Sequence, residues 1–401
     1  MPTEAAVKGP ERHAGKQPSV DNPRPSPDVL IHWSPSPKTS SQHSPAAGNY
    51  RMLLALLLAT VAVADTVRPA PRAVGPKVLI YVDMEGSSGV SKPNQVLYPN
   101  PEYFAHRRFI TADLNAAIRG LKAGGAGEIV VTDAHGSGNT EGPDVIVERM
   151  DKRATFLFRD VEYDPYVEAF DSTFQAIVAV GMHARAGSRG FMAHTVTLEP
   201  VMTVNGKRIT ESALIAHSSA RFRIPVIMVA GDDVLEGQIK EELPNAEYAV
   251  VKRATTRAEA ALIPQAEVQR AIERAAKAAI EKLATFTPYP VADSYRFEIG
   301  YQNVRQTDLA GTIPGTIRLD SLTLGFTSKT FPEGYLLSNR MTGAAGFDRL
   351  RWLMSVVREQ PNAKEILRQY LDRLVVNWLE PEKLPKPRAT PARKRRYWGD
   401  T

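Results

Sequence analysis

The chain has 401 residues, 43 % of them apolar, a formal charge of +6 and no cysteine. That length and apolar content suit a folded body of two modest domains. The missing cysteine excludes disulfides, thiolate metal sites and thiol nucleophiles, so any metal has to be held by His, Asp and Glu.

Residues 1–48, within a leader that runs to residue 51, are rich in Pro, Ser, Lys and His, with Pro18, Pro23, Pro25, Pro27, Pro35, Pro37 and Pro45 closely spaced. Such a segment buries too little apolar surface to offset its ordering entropy. It reads as a disordered leader or a start called too early, with Met52 the natural beginning. Arg51 then precedes the apolar run Met52–Ala64, which ends in Ala62-Val63-Ala64 before Asp65. A positive flank, an apolar stretch and a small-residue cleavage site are the marks of a secretory signal. The run is shorter than the ~20 residues that span a bilayer. Export to the periplasm or exterior is expected from 52–64, or membrane anchoring if the stretch stays uncleaved.

The folded body begins with the apolar run Lys77–Val82, suited to a buried strand. Phe104–Ala123 has helical spacing, with Ile110, Leu114, Ile118 and Leu121 on one side, and Gly124-Gly125 stops it. Strands are predicted over Glu128–Thr132, Ala176–Gly181 and Pro225–Ala230, and helices over Glu211–Arg221, from Asp232 or Asp233 to Glu242, and from Pro264 to about Leu283. After the break at Thr287-Pro288-Tyr289-Pro290, strands are predicted at Tyr295–Tyr301 and Ser321–Thr327. Helices follow over Gly343–Arg358 and Ala363–Leu379. The alternation predicts an α/β fold: a three-layer, mostly parallel sheet domain over 75–286, with a second, smaller α+β part over 287–380 packed on it.

The last segment, 381–401, carries much of the positive charge. Seven Lys or Arg there face Glu382 and Asp400. It reads as a basic disordered tail, with weak contact to an anionic surface as its alternative use. No nucleic-acid recognition module accompanies it, so no nucleic-acid partner is expected.

Open α/β sheets collect ligands at the carboxyl ends of their strands. Three predicted strand ends carry unusual polar residues: Asp83-Met84-Glu85-Gly86, Asp133-Ala134-His135-Gly136 and Gly181-Met182-His183-Ala184-Arg185. Residues two apart in an extended segment point the same way, so Asp83 and Glu85 can present two carboxylates to one point. Carboxylate oxygen and imidazole nitrogen together suit zinc, and one carboxylate can bridge two ions. Each piece alone is more often a solvated turn or a structural histidine; the joint pattern carries the reading. Of the remaining histidines, His13, His32 and His43 fall in the leader, and His106 and His217 in predicted helices, where packing roles are expected. His194 lies in a small-residue loop.

The order and spacing of Val82–Gly86, Asp133–His135, Gly181–Arg185, Met192–His194, Asn205–Glu211 and Val229–Asp233 resemble the zinc-dependent D-aminopeptidases of the DppA type, from about Lys77 to about Phe326. The resemblance implies two Zn2+ per subunit. Asp83 would bridge both, with Glu85 and His183 completing one site and His135 and Glu211 the other. It implies His194 as the nucleophile, and assembly into a homo-oligomer, often a large ring. Tyr81 and Ser87 depart from the usual pattern, and the leader and basic C-terminal region are additional. His194 has a second physical role open to it, as a proton or hydrogen-bond donor to the oxyanion or leaving amine. Arg185 is expected either to bind a substrate carboxylate or to hold its loop by a salt bridge. The implied activity is removal of N-terminal D-amino acids from short peptides. The alternatives are a related metal-dependent amidase or esterase, and a non-catalytic periplasmic binding module.

Overall fold

A computed structural model of the chain describes residues 75–139, 142–158, 164–198 and 200–379. The leader, the signal-like run at 52–64 and the basic tail at 381–401 lie outside the described residues.

The elements in chain order are β1 (Val78–Val82), α1 (Pro101–Ala123), β2 (Ile129–Asp133), β3 (Thr155–Phe156), α2 (Pro165–Glu168), β4 (Ala176–Met182), β5 (Val201–Val204), β6 (Lys207–Arg208) and α3 (Glu211–Ser219). Next come β7 (Val226–Asp232), α4 (Asp233–Glu242), β8 (Glu247–Ala254), β9 (Ala260–Leu262) and α5 (Gln265–Glu281). The chain continues through β10 (Tyr295–Gly300), α6 (Val304–Ala310), β11 (Ile317–Arg318), β12 (Thr323–Ser328), α7 (Phe331–Thr342), α8 (Asp348–Arg358) and α9 (Ala363–Leu379).

Among the described residues the strands form two sheets. The larger runs β3-β2-β1-β4-β7-β8-β9, parallel throughout except for β9. The smaller, β11-β12-β10-β5-β6, is antiparallel. The architecture is α/β with a mostly parallel layered sheet and a second, smaller sheet. That second sheet draws β5 and β6 from within 201–208 as well as the strands that follow α5.

Alternation along β1 divides the core. Val78, Ile80 and Val82 face the layer that holds Ile110, Leu114, Ile118 and Leu121 of α1 and Val268, Ile272 and Ala276 of α5. Leu79 and Tyr81 face the opposite side, with Leu214 of α3, Leu235 and Ile239 of α4, and Phe297 and Phe331 of the second sheet and α7. Leu114 has no exposed surface. Truncating it to Ala would cost about 2–5 kcal/mol in transfer and cavity terms. Thr210 caps α3 by accepting the Ala213 N–H at 3.0 Å, and Asp232 caps α4 by accepting the Leu235 N–H at 2.7 Å.

This topology fixes where a ligand can sit. From β1 the chain winds outward through β2 and β3, then crosses back to place β4 on β1's other side. The strand order therefore reverses between β1 and β4, and a crevice opens at their carboxyl ends. No helix among the described residues is long and apolar enough to cross a membrane.

Candidate functional site

Asp83 follows directly on β1, and Glu85 lies in the turn that ends it. That turn is pressed against the end of β4: Asp83 N–H donates to Val180 O at 2.9 Å and Gly86 N–H to Gly181 O at 2.8 Å. A Cβ on Gly86 would lie 1.8 Å from Met182 O, and one on Gly181, whose φ is +80°, would lie 1.9 Å from Asp83 O. Only glycine allows this approach. His183 follows β4. His135 comes two residues after β2, its N–H held by Asp133 Oδ1 at 3.1 Å. Glu211 opens α3 behind its Thr210 cap.

His194 lies in the loop after β4, between two non-glycine residues at positive φ, Met192 (49°) and Val196 (65°). A β-branched residue such as Val196 adopts this conformation at a cost. Glu211 Oε1 holds it there by accepting the Val196 N–H at 2.7 Å. Asp232 Oδ2 and Arg257 O fix the loop's other end through Phe191 N–H and Met192 N–H, both at 2.9 Å.

Six side chains, Asp83, Glu85, His135, His183, His194 and Glu211, meet with no more than 8 % of any residue exposed. His135 Nδ1 lies 3.0 Å from Asp83 Oδ1 and 2.9 Å from Glu85 Oε2. His183 Nε2 lies 3.3 Å from Asp83 Oδ2 and 3.4 Å from Glu211 Oε1. His194 Nε2 lies 3.9 Å from both Glu85 Oε1 and Glu211 Oε1, and its ring stacks on that of His183 at 4.0 Å. The expected partition joins Glu85 with His183 and His135 with Glu211. The shortest contacts between side chains run from His135 to Glu85 and from His183 to Asp83 and Glu211, with Asp83 reaching both histidines. A third grouping, Glu85 with His183 and His194, also falls within ligand range.

Each imidazole commits one nitrogen to a backbone carbonyl: His135 Nε2 to Val96 O at 2.8 Å, His183 Nδ1 to Ala184 O at 3.1 Å, His194 Nδ1 to Met192 O at 2.7 Å. Each turns its other nitrogen toward carboxylates. Backbone anchoring of the distal nitrogen is how metal-binding imidazoles are oriented. Buried Glu85 Oε2 and His183 Nε2 make no well-directed hydrogen bond despite contacts of 2.9 Å and 3.3 Å to His135 and Asp83, so hydrogen bonding does not satisfy the cluster. Donors about 2.0–2.2 Å from one tetrahedral zinc stand roughly 3.4 Å apart, close to the spacings here. The donor set, hard oxygen plus imidazole nitrogen, fits the same ion.

The electrostatics agree. Burial pushes Asp83 up, but the hydrogen bond from His135 and the adjacent His183 ring hold it well below the usual carboxylate range. Burial and neighbouring Asp83 raise Glu85 to about 7. Burial lowers His135 and His183, and the charges of Glu85 and Glu211 outweigh it, carrying both well above their ordinary value. Protons on these two rings thus take the place a cation would fill. Burial and the charge of His183 push His194 down to about 4, leaving it neutral with a bare Nε2 at neutral pH.

Several supporting residues carry no sequence signal. Tyr166 O–H donates a short hydrogen bond to Glu211 Oε2. Buried Lys252 of β8 donates to Glu85 O at 2.6 Å and Val90 O at 2.7 Å, holding the turn from behind. Arg185 points away from the cluster, with Nη1 2.8 Å from Glu242 Oε1 and 3.4 Å from Glu241 Oε2 on α4. Of its two expected roles, the geometry supports the loop-holding salt bridge.

The model of peptidase family M55, described as D-aminopeptidase, matches residues 77–339. A D-aminopeptidase of Bacillus subtilis (strain 168) is 29 % identical over 271 residues, covering 67 % of this chain and 97 % of the relative. A solved structure, the Zn-dependent D-aminopeptidase DppA from Bacillus subtilis, described as a self-compartmentalizing protease, superimposes with a TM-score of 0.63 at 29 % identity, covering 67 % of this chain and 97 % of that one.

Proposed function

Because the chain belongs to peptidase family M55, the D-aminopeptidases, we propose that it is a zinc-dependent hydrolase that removes N-terminal D-amino acids from short peptides at a two-zinc site. One observation carries the reading. Three backbone-anchored imidazoles and three carboxylates converge at the switch point of the sheet, and two of their buried atoms make no well-directed hydrogen bond.

In this reading Asp83 would serve both ions, and Glu85, His135, His183 and Glu211 would complete the two sites. When bound, the two zinc ions polarise the peptide carbonyl and make the attacking water more acidic. The protein's own groups supply the rest. His194, its Nδ1–H fixed on Met192 O, presents an unprotonated Nε2 that takes the proton from the attacking water. It returns that proton to the amine nitrogen as the C–N bond breaks. In this tautomer Nε2 is a base and not a donor, which narrows the roles open to it. Tyr166 and the Val196 N–H hold both oxygens of Glu211. Lys252 holds the turn that carries Glu85. The burial of all six side chains excludes bulk water and strengthens each of these interactions.

The relative's self-compartmentalizing character supports assembly of this chain into a homo-oligomer. A mass measurement in solution tests that. The apolar run at 52–64 supports export, and the N-terminus of the mature protein made in a bacterial host tests it. The central test is zinc quantification coupled to a panel of D- and L-peptides. Two equivalents of zinc and cleavage of D-Ala-D-Ala with L-Ala-L-Ala untouched are expected. Equal cleavage of the L form sinks the stereochemical claim. Ester or simple amide hydrolysis without D-peptide turnover moves the protein to the related amidase class.

A further inference from the structure

The family match ends at residue 339, yet a residue of α9, well beyond that point, reaches the site. The Trp378 indole stands edge-on to the His194 ring, with centroids 5.9 Å apart at 89°. It is 5 % exposed. Its helix is seated by Leu367, Leu371 and Val375 on the core that includes Tyr98 and Met192. The indole also carries a cation: the Arg257 guanidinium lies 4.8 Å from the ring centroid, and its Nη1 donates to Trp378 O at 3.4 Å. Arg257 Nε is buried and has no hydrogen-bond partner. Among the described residues Arg257 forms no ion pair.

The indole therefore forms an apolar wall beside His194, and the guanidinium packed on that indole is a positive charge with an unused donor. A peptide whose scissile bond lies at the carboxylate–imidazole cluster has a matching sequence of chemistries when it is short: an apolar residue next to the indole, then its terminal carboxylate. A longer peptide, or one whose carboxylate is masked, meets the wall and leaves the cation unpaired.

We propose that Trp378 and Arg257 are specificity residues, which select short peptides with a free C-terminal carboxylate. The inference rests on the D-aminopeptidase reading and adds residues outside its metal cluster.

The test uses the full zinc-loaded chain and its Trp378→Ala, Trp378→Phe and Arg257→Gln variants. Substrates are D-Ala-D-Ala, its C-terminal amide and the D-Ala tetrapeptide. Wild type is expected to favour the free acid over the amide by about tenfold or more, the worth of one charge-assisted hydrogen bond. Arg257→Gln removes that preference by raising KM for the free acid, with kcat little changed. Trp378→Ala shifts kcat/KM toward the tetrapeptide, and Trp378→Phe, which keeps an aromatic wall, shifts it less. A readout independent of turnover accompanies these. Loading the zinc-free protein with Co2+ quenches tryptophan fluorescence, and Trp378→Phe loses most of that quenching although Trp33, Trp352 and Trp398 remain. Equal acid and amide rates in wild type, unmoved length ratios in both Trp378 variants, or undiminished quenching in Trp378→Phe each overturn the proposal. If wild type cleaves no D-peptide at all, the functional reading falls and takes this one with it. Cleavage with unchanged ratios sinks this one alone.

Discussion

Helix α3 carries Glu211 at its first residue and His217 near its last, and the two ends lie in opposite kinds of buried environment. At the first end, Glu211 joins two further carboxylates and three imidazoles. At the other, His217 stacks on Phe331 (4.6 Å, 5°) and lies against Tyr289 (4.3 Å) and Tyr295 (5.7 Å). Burial pushes His217 down to about 4, and no neighbouring charge opposes it. His135 and His183 are also buried, yet they move the other way because carboxylates face them. Burial alone therefore does not mark a functional histidine. The mark is a buried ring anchored by one nitrogen and confronted, at the other, by more anionic oxygen than hydrogen bonding can satisfy.

The comparison breaks first at Asp83, which contacts both halves of the cluster. Asp83→Ala is expected to lose both zinc equivalents. Its fall in kcat/KM should exceed the roughly 10–100-fold that follows loss of an outer supporting partner. Retention of two metals at full activity would dissolve the cluster reading. His194→Ala comes next. With Nε2 3.9 Å from its nearest carboxylates, it is expected to keep its zinc while kcat falls about 10²–10⁴-fold, the span of a lost acid–base group. Loss of a metal equivalent would instead make His194 a ligand, as its grouping with Glu85 and His183 allows.

His217→Phe sharpens the other half of the contrast. The folded protein holds this ring neutral down to about pH 4, whereas the unfolded chain protonates it near 6.5. Stability from this residue is therefore complete above about 6.5 and drains away as the pH falls to about 4, by roughly 3 kcal/mol in all. Phenylalanine keeps the stack and has no proton to take up. Denaturant unfolding of both proteins from pH 7 to 4 should show stabilities diverging in the variant's favour as the pH falls. Parallel curves would mean that the ring is not held neutral. Substitution of His135 or His183 cannot give this signature, because those imidazoles shift in the opposite direction.

The sequence reveals the first half of the fold better than the second. β1, β2, β4 and β7 are continuous apolar runs, and the amphipathic repeats of α1 and α5 are plain, so the parallel sheet and its polar strand ends follow from periodicity and position. The antiparallel sheet does not. β5 and β6 are short, and β10, which pairs with β5, lies some ninety residues further on, so no local pattern joins that pair. α7 is hidden by Pro332 and Gly334. The proline sits in the first turn, where it is tolerated. Gly334 is small because the Phe297 ring packs on it, 2.1 Å from where a Cβ would stand. β8 is masked by charge: Lys252 looks like a surface residue until β8 is seated beside β7 and its ammonium reaches the Glu85 carbonyl. Asp83, Glu85, His135 and His183 are legible as strand-end polar groups and His194 as a loop histidine, whereas Glu211, at the start of α3, is reached only through the family resemblance. Tyr166, Lys252 and Trp378 could not be found at all from the chain order.

Arg185 gives the smallest expected effect and the cleanest separation of structural from functional charge. It follows His183 by two residues, so proximity in sequence suggests a substrate role. Its guanidinium instead pairs with Glu242, 9 % exposed at its side chain, and with Glu241, 59 % exposed. Glu242 in turn accepts from Thr210 Oγ1 at 2.5 Å, so the arginine ties the loop after β4 to the cap of α3. The pair is partly exposed and screened, which puts its worth at about 1 kcal/mol or less. Arg185→Gln should therefore lower unfolding stability by about that amount while leaving zinc content and KM for D-Ala-D-Ala unchanged. A rise in KM of about tenfold, the worth of one charged hydrogen bond, would return Arg185 to the substrate. The terminal carboxylate would then have two candidate partners, and a double variant with Arg257→Gln would show which one it uses.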